Sequence, residues 1–285
     1  MSGMLFVVAT PIGNLQDITY RAVETLKGCS IIVAEDTRET RKLLSHFGIH
    51  ARLLTAHEHR ELEAAQEVLG ALKDGANVAL VTDAGTPAIS DPGAKFVAYL
   101  RQHGIRICPV PGPCSVVAAL SVSGIPADRF YFGGFLPSKP KERLQVLQGL
   151  QPIPDTLVFL EAPHRLLEAI NDLYAVLGDR SVFLAKELTK LHETLISTRL
   201  SMAFSALQGV MVKGEWVIIV EGASQGHAIH DEAKKQAALR LIEYLKAQEM
   251  GHQPFKKDLS RLLAGLTGLS RAWIYEQLLT EDTKE

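Results

Sequence analysis

Short apolar runs punctuate the first 110 residues of the chain. Leu5 to Ala9, Ile31 to Ala34, Arg52 to Ala56, Val78 to Val81 and Ile105 to Val110 are too short for helices and lack alternation. Such runs predict strands buried on both faces, the pattern of a parallel sheet. Between them lie stretches with helical spacing: Thr19 to Leu26, Thr40 to Phe47, Glu61 to Leu72 and Ala94 to His103. In the second of these, Leu43, Leu44 and Phe47 fall on one face. Gly48, Gly75 and Gly104 stand where helices should stop. Strand–helix alternation builds an α/β sheet covered by helices, with ligands at the carboxyl ends of its strands.

A second rhythm follows. Pro113 to Ser121 predicts a helix, and Gly124-Ile125-Pro126 breaks the chain. Phe130 to Phe135 is aromatic and glycine-rich. Leu157 to Leu160, Val182 to Ala185 and Trp216 to Val220 predict further strands, with a helix at Leu166 to Leu177. Glu221 to Gly226 is small and polar, as linkers are. Beyond it the pattern is helical: Ala237 to Leu245 is amphipathic, and Pro254 to Leu263 and Arg271 to Leu279 flank the turn Thr267-Gly268-Leu269-Ser270. Such a pair fits a helix-turn-helix module or a plain helical cap. The expected organisation is an α/β domain at 1–123, a second α/β domain at 124–226 and a helical module at 227–285.

Composition narrows the function classes. Of 285 residues, 47% are hydrophobic and 22% charged, which excludes a disordered or fibrous chain. The three cysteines form no CxxC pair, which fits a reducing compartment. No apolar run approaches the ~20 residues of a membrane span, and no signal-peptide pattern precedes Leu5. A cytoplasmic protein with no membrane partner is expected. The net charge of -2 points away from a long electrostatic track for nucleic acid and toward a small-molecule enzyme. The segment from His227 onward carries equal numbers of basic and acidic residues, which weakens a DNA-binding reading.

The candidate chemistry sits where strands end. Thr10-Pro11-Ile12-Gly13-Asn14-Leu15 lacks the glycines of a dinucleotide fingerprint. Glu35-Asp36-Thr37-Arg38 sets two carboxylates beside a guanidinium, although Asp36 is equally suited to capping the next helix. The segment Thr82 to Gly93 holds Gly85, Pro87, Pro92 and Gly93, residues that fix an unusual backbone path. Its exposed backbone groups can bind a ligand's polar edges, and Asp83 or Asp91 can meet a cationic amino group. Pro111-Gly112-Pro113-Cys114-Ser115 opens a helix, whose free N–H groups suit an anion. Further titratable clusters occur at Glu161 to Arg165, at Lys186 to Thr194 and at Lys213 to Trp216. No GxxxxGK loop is present, and His46, His50, His57, His59 and His103 lack HExxH spacing. Nucleotide hydrolysis and a catalytic metal are therefore not expected.

Together these segments resemble the tetrapyrrole-methylase-fold methyltransferases, and within them the branch that modifies small-subunit ribosomal RNA. Thr10 to Thr19, Ala34 to Arg38, Asp83 to Gly93, Pro111-Gly112-Pro113, Gly134-Phe135-Leu136-Pro137, Glu187-Leu188-Thr189-Lys190 and Gly214-Glu215 carry the resemblance, in order, across nearly the whole chain. Where the wider fold often has Gly-Asp-Pro, this chain has Gly85-Thr86-Pro87, with Asp83 nearby.

The resemblance implies S-adenosylmethionine in a cleft between two α/β domains, usually in a homodimer. It implies methylation of the ribose 2′-hydroxyl of a cytidine in small-subunit (16S) rRNA at the decoding centre, with the rRNA or the small subunit as partner. Pro11, Ile12, Asp83, Gly85, Thr86, Ile89, Pro111, Cys114, Ser115, Leu160, Lys186, Gly214 and Glu215 would then line the cofactor. Methyl transfer to a hydroxyl needs in-line alignment and a group to take the proton. Strand-end position nominates Asp36 or Glu35 for the proton, and Lys186 or Arg38 to steady the developing alkoxide. Arg38, Arg41, Arg165 and Lys190 are the candidates for contact with RNA. The alternatives are a tetrapyrrole C-methyltransferase of the same fold and a non-enzymatic ligand sensor.

Overall fold

The computed structural model describes residues 3–57, 60–223, 236–242, 255–267 and 270–279. In the first half, β1 (Met4–Val8), β2 (Ile31–Ala34), β3 (Arg52–Thr55), β4 (Val78–Leu80) and β5 (Arg106–Val110) alternate with α1 (Tyr20–Lys27), α2 (Thr37–His46), α3 (Glu61–Lys73) and α4 (Ala94–Gln102). The strands pair in the order β3-β2-β4-β1-β5, all parallel. Leu5, Val33, Val78 and Leu80 pack with Ala64, Ala65, Phe96 and Leu100 of α3 and α4. Val8, Ile32, Ala34 and Ala79 pack with Ala22, Leu26 and Leu44 of α1 and α2. The sheet is thus covered on both faces, which is why its strands read as unbroken apolar runs.

Helix α2 starts three residues before the expected Thr40, because Asp36 takes the N-cap position and accepts from the Arg38 N–H at 2.8 Å. Helix α3 supplies a less usual cap. Glu61, only 5% exposed, accepts from the backbone N–H groups of Gly93, Lys95 and Phe96 at 2.9, 3.0 and 3.3 Å. It therefore satisfies the free donors at the start of α4 from a different element.

Helix α5 (Ser115–Ser123) leads to a second sheet. There β6 (Phe130–Phe135), β7 (Thr156–Glu161), β8 (Ser181–Lys186), β9 (Thr194–Arg199) and β10 (Trp216–Val220) pair in the order β6-β7-β10-β8-β9. Only β6 and β7 are parallel. Helices α6 (Pro140–Leu150), α7 (Leu166–Leu177) and α8 (Ala203–Ala206) join the strands. Val116, Ala119 and Leu120 of α5 pack on Val158, Phe183, Ala185, Val217 and Ile219. The two sheets realise the α/β pattern expected from the sequence. Helices α6 and α8 and strand β9 were not foreseen. Strand β9 alternates half-buried and exposed positions at the sheet edge, so its sequence carries no buried run.

The chain divides into two compact units. One holds residues 1–149 and 155–221, with both sheets; the other holds 150–154 and 222–285. In the second unit, α9 (236–242), α10 (Phe255–Thr267) and α11 (Arg271–Leu279) bury Ile242, Leu263, Ile274 and Leu278 together. The end of the expected linker (224–226), residues 243–245 of the first expected helix, Pro254, and Gly268-Leu269 of the turn lie outside the described residues.

Candidate active site

A cavity of about 230 Å³ opens where strand-end loops of the two sheets meet. The loops after β1 and β4 are zipped together: Thr10 and Gly85 exchange backbone hydrogen bonds at 2.8 and 3.1 Å. The Thr10 hydroxyl also donates to the Thr82 carbonyl at 3.1 Å. The loop then runs through left-handed positions at Gly85 (φ 86), Ala88 (φ 67) and Ser90 (φ 61). Two non-glycine residues with positive φ in one loop are uncommon and costly, and such strain gathers at functional sites. The Thr86 hydroxyl ties this loop to the Pro113 carbonyl at 3.2 Å, beside the start of α5.

The second sheet contributes the opposite wall. Glu187 (φ 50) and Thr189 (φ 66) make a second strained turn after β8. The Thr189 hydroxyl accepts from the Asn14 N–H at 3.1 Å, which fastens the β1 loop to it. Gly13 and Gly214 are required here. A Cβ on Gly13 would strike Lys190 and Leu188, and one on Gly214 would strike the Glu187 carboxyl.

The lining is acidic. Glu35, Asp83, Asp91, Glu161, Glu187 and Glu215 face one basic residue, Lys190. Lys190 is held by Glu187 at 2.9 Å, and Arg165 holds Glu161 at 2.7 Å. Among the described residues no cation lies within ion-pair distance of Glu35, Asp83, Asp91 or Glu215. Burial pushes the Glu35 and Asp91 carboxyls above their ordinary values; Asp91 adds to the shift of Glu35, and Glu215 to that of Asp91. Asp83 is raised too, by desolvation and by the Asp36 charge. Burial alone would raise Glu187, but the hydrogen bond and charge of Lys190 hold it below its ordinary value.

Two polar atoms at the wall have no partner. Glu161 and Trp216 face each other across β7 and β10, 1% and 0% exposed, and both line the cavity. Glu161 Oε1 accepts from Arg165 and from the Ala162 N–H, but Glu161 Oε2 and Trp216 Nε1 bond to nothing. An acceptor and a donor left open in a buried wall are costly unless a ligand completes them.

Residues 4–203 match the Tetrapyrrole (Corrin/Porphyrin) Methylases. The chain belongs to the tetrapyrrole methylase family. It is 45% identical over 282 residues to the ribosomal RNA small subunit methyltransferase I of Escherichia coli O157:H7, covering 98% of this chain and 96% of that protein. The protein of that name from Pseudomonas aeruginosa is 44% identical, with 99% of each chain covered. Among solved structures, a cobalt precorrin-4 methyltransferase superposes with a TM-score of 0.59 at 18% identity, over 76% of this chain and 94% of that one. A uroporphyrin-III C-methyltransferase from Thermus thermophilus, complexed with S-adenosyl homocysteine, gives 0.54 at 19% identity, over 76% and 97%. At these identities the structures show the shared fold.

Within this tetrapyrrole methylase, the sequence-nominated residues separate into two groups. Ile12, Glu35, Asp83, Gly85, Thr86, Ile89, Cys114, Ser115, Leu160, Lys190 and Glu215 line the cavity. Pro11, Pro111, Gly214, Asp36, Lys186, Arg38, Arg41 and Arg165 do not. Asp36 is engaged as the α2 cap and as the partner of Arg38 at 2.6 Å; the Arg38 hydrogen bonds hold its acid down to about 2. Arg38 and Arg41 are exposed on α2. Lys186 is buried at the end of β8, opposite Trp216. Asp91, named from the sequence as a partner for a cationic amino group, lines the cavity as well, and Glu161, Glu187, Trp216, Phe132 and Phe135 line it without having been nominated. All but Phe132 and Phe135 fall in strand-end clusters already marked by their titratable groups. Phe132 had only an aromatic, glycine-rich segment as a signal, and Phe135 also its place in the Gly134 to Pro137 resemblance.

Among the described residues no cluster of His, Cys, Asp and Glu is arranged to hold a metal ion, and no helix is long and apolar enough to cross a membrane.

Proposed function

We propose that the protein transfers a methyl group from S-adenosylmethionine to the ribose 2′-hydroxyl of a cytidine in small-subunit rRNA, at the decoding centre. The observation that carries this reading is near-full-length identity of about 45% to proteins named ribosomal RNA small subunit methyltransferase I. A tetrapyrrole C-methyltransferase shares the fold, but the solved structures of that activity are only 18 to 19% identical. On this reading the protein works in the cytoplasm, on the rRNA or the small subunit, and as a homodimer.

The cavity fits the cofactor. Its unpaired carboxylates suit a ligand carrying a sulfonium and an ammonium group. The open Trp216 Nε1 and Glu161 Oε2 suit one with both acceptors and donors. Gly85, Thr86 and Ile89 on one side, Cys114 and Ser115 at the start of α5, and Ile12, Leu160 and Glu215 on the others would hold it. When bound, it supplies a methyl carbon already activated by sulfur, whose C–S electron pair leaves with the sulfur.

The chain's own residues then have two tasks: to align the hydroxyl and to accept its proton. The second task falls to the acids of the cavity wall rather than to Asp36, whose acid is too strong and whose oxygens are engaged. Lys186 offsets the negative wall through its charge on Glu187. Lys190 in the lining, Arg165 paired with the wall residue Glu161, and Arg38 and Arg41 on the exposed face of α2 would serve as RNA contacts.

The test is methyl transfer from labelled S-adenosylmethionine to small subunits lacking the modification, to naked rRNA and to a porphyrin precursor. Label on a cytidine 2′-oxygen is expected. Label only in the porphyrin would overturn the assignment.

A further inference from the structure

Thr82, at the end of β4, is 3% exposed, and its hydroxyl touches two acids at once. Its Oγ1 lies 2.8 Å from Asp91 Oδ2 and 3.1 Å from Glu35 Oε2. A hydroxyl has one proton to donate. With both carboxylates ionised, one of the two contacts would set an anionic oxygen against a lone pair, with no proton between them. A single added proton completes the chain: Glu35 donates to Thr82, and Thr82 donates to Asp91. The shorter contact is the one expected for the ionised acceptor.

The surroundings keep that proton in place. Glu35 faces Asp91, Asp83 and Asp36; Asp91 faces Glu215 and Asp83. The nearby cations are already engaged, Arg38 by Asp36 and Lys190 by Glu187. Two carboxylates sharing a desolvated site hold one proton between them. The same cavity carries the open Trp216 Nε1 and Glu161 Oε2, an independent sign that a ligand comes to lie against these acids.

We propose that Glu35, Thr82 and Asp91 form a hydroxyl-bridged unit holding one carboxyl proton, in which Asp91 is the catalytic acceptor of the proton lost by the attacking hydroxyl. Glu35 and Thr82 are positioning residues that fix which oxygen of Asp91 is free. The proton moves from the substrate oxygen to the Asp91 carboxylate, and from there to solvent once the product departs. The catalytic half of this assignment rests on the 2′-hydroxyl reading; the shared proton does not.

Infrared difference spectroscopy on the full-length protein without substrate reads the shared proton directly. The carbonyl stretch of a protonated carboxyl is expected at neutral pH in the wild type. It should vanish in Glu35→Gln, persist in Thr82→Ser and persist in Asp36→Asn. Absence of that band in the wild type would overturn the shared proton. Turnover on unmodified small subunits tests the acceptor. Asp91→Asn should lower kcat by about 10²–10⁴-fold, with the Kd for S-adenosyl homocysteine changed less than about threefold, since a proton acceptor acts on the transition state. Glu35→Gln should displace the acid limb of the kcat profile. Asp91→Asn turning over like the wild type, with an unchanged pH profile, would remove Asp91 as the acceptor. Wild-type protein that shows the band but methylates no ribose would refute the substrate reading instead.

Discussion

Glu61 is a single side chain on which a whole loop depends. It caps α4 from α3 and so anchors the far end of the segment that runs from Asp83 to Gly93. Glu61→Ala leaves three N–H groups, those of Gly93 and Phe96 buried, without that acceptor. A loss of about 1–3 kcal/mol in urea unfolding is expected, together with weaker cofactor binding, because the loop's anchor goes with it. Glu35 acts in the opposite sense. Its folded value is raised from 4.5, so its stabilising contribution is complete below that value and is lost as pH rises through the raised one. Glu35→Gln should therefore raise the Tm at neutral to alkaline pH and give no such gain below 4.5. A Tm difference independent of pH would contradict the raised acid. Both roles were hidden in the sequence. Glu61 reads as an ordinary first-turn acid, and nothing local shows that its partners lie more than thirty residues away.

Two elements show how backbone and packing shape the site together. The Thr82 to Gly93 segment was marked in the sequence by its glycines and prolines, and it is the loop that carries positive φ at Gly85, Ala88 and Ser90. A Cβ at Gly85 would lie 3.4 Å from Ile12 Cγ2, on a backbone at φ 86. Gly85→Ala should cost about 1–3 kcal/mol through strain and weaken S-adenosylmethionine binding by calorimetry, with circular dichroism unchanged. Strand β6 is the counterpart in the second sheet. A Cβ on Gly133 would lie 2.6 Å from the Phe159 ring, and the β6–β7 register shifts between Phe132 and Phe135. Gly133→Ala should thus destabilise by about 1–3 kcal/mol, as overpacking does, measurable as a lower urea midpoint. The sequence marked this strand as aromatic and glycine-rich. The reason for the glycine, a ring on the neighbouring strand, is a tertiary contact.

At the scale of the whole molecule, the near-neutral net charge conceals an uneven distribution. The cavity gathers six carboxylates against one lysine, whereas the exposed arginines of α2 lie elsewhere. Such a cavity attracts a cationic cofactor and repels phosphates; on the proposed rRNA reading, the strand then offers its ribose while its phosphates stay at the rim. Every lining residue belongs to the compact unit that holds both sheets. A chain ending at Glu221 should therefore keep its Kd for S-adenosylmethionine while its binding to the small subunit weakens. Full activity on ribosomal particles by that truncated chain would exclude a role for the helical end in substrate contact.

The sequence alone determined the strand–helix alternation, the loops at strand ends and the family resemblance, because each rests on local residue types and their spacing. It marked the acids of the site as clusters and could not rank them. Asp36 and Glu35 are neighbours in the chain, yet one caps a helix beside Arg38 and the other meets Thr82 and Asp91 inside the cavity. Hydrogen bonding, desolvation and the charges brought near from distant segments decide the acidity of each group. Those quantities exist only once the sheets have formed and their loops have closed around the same space.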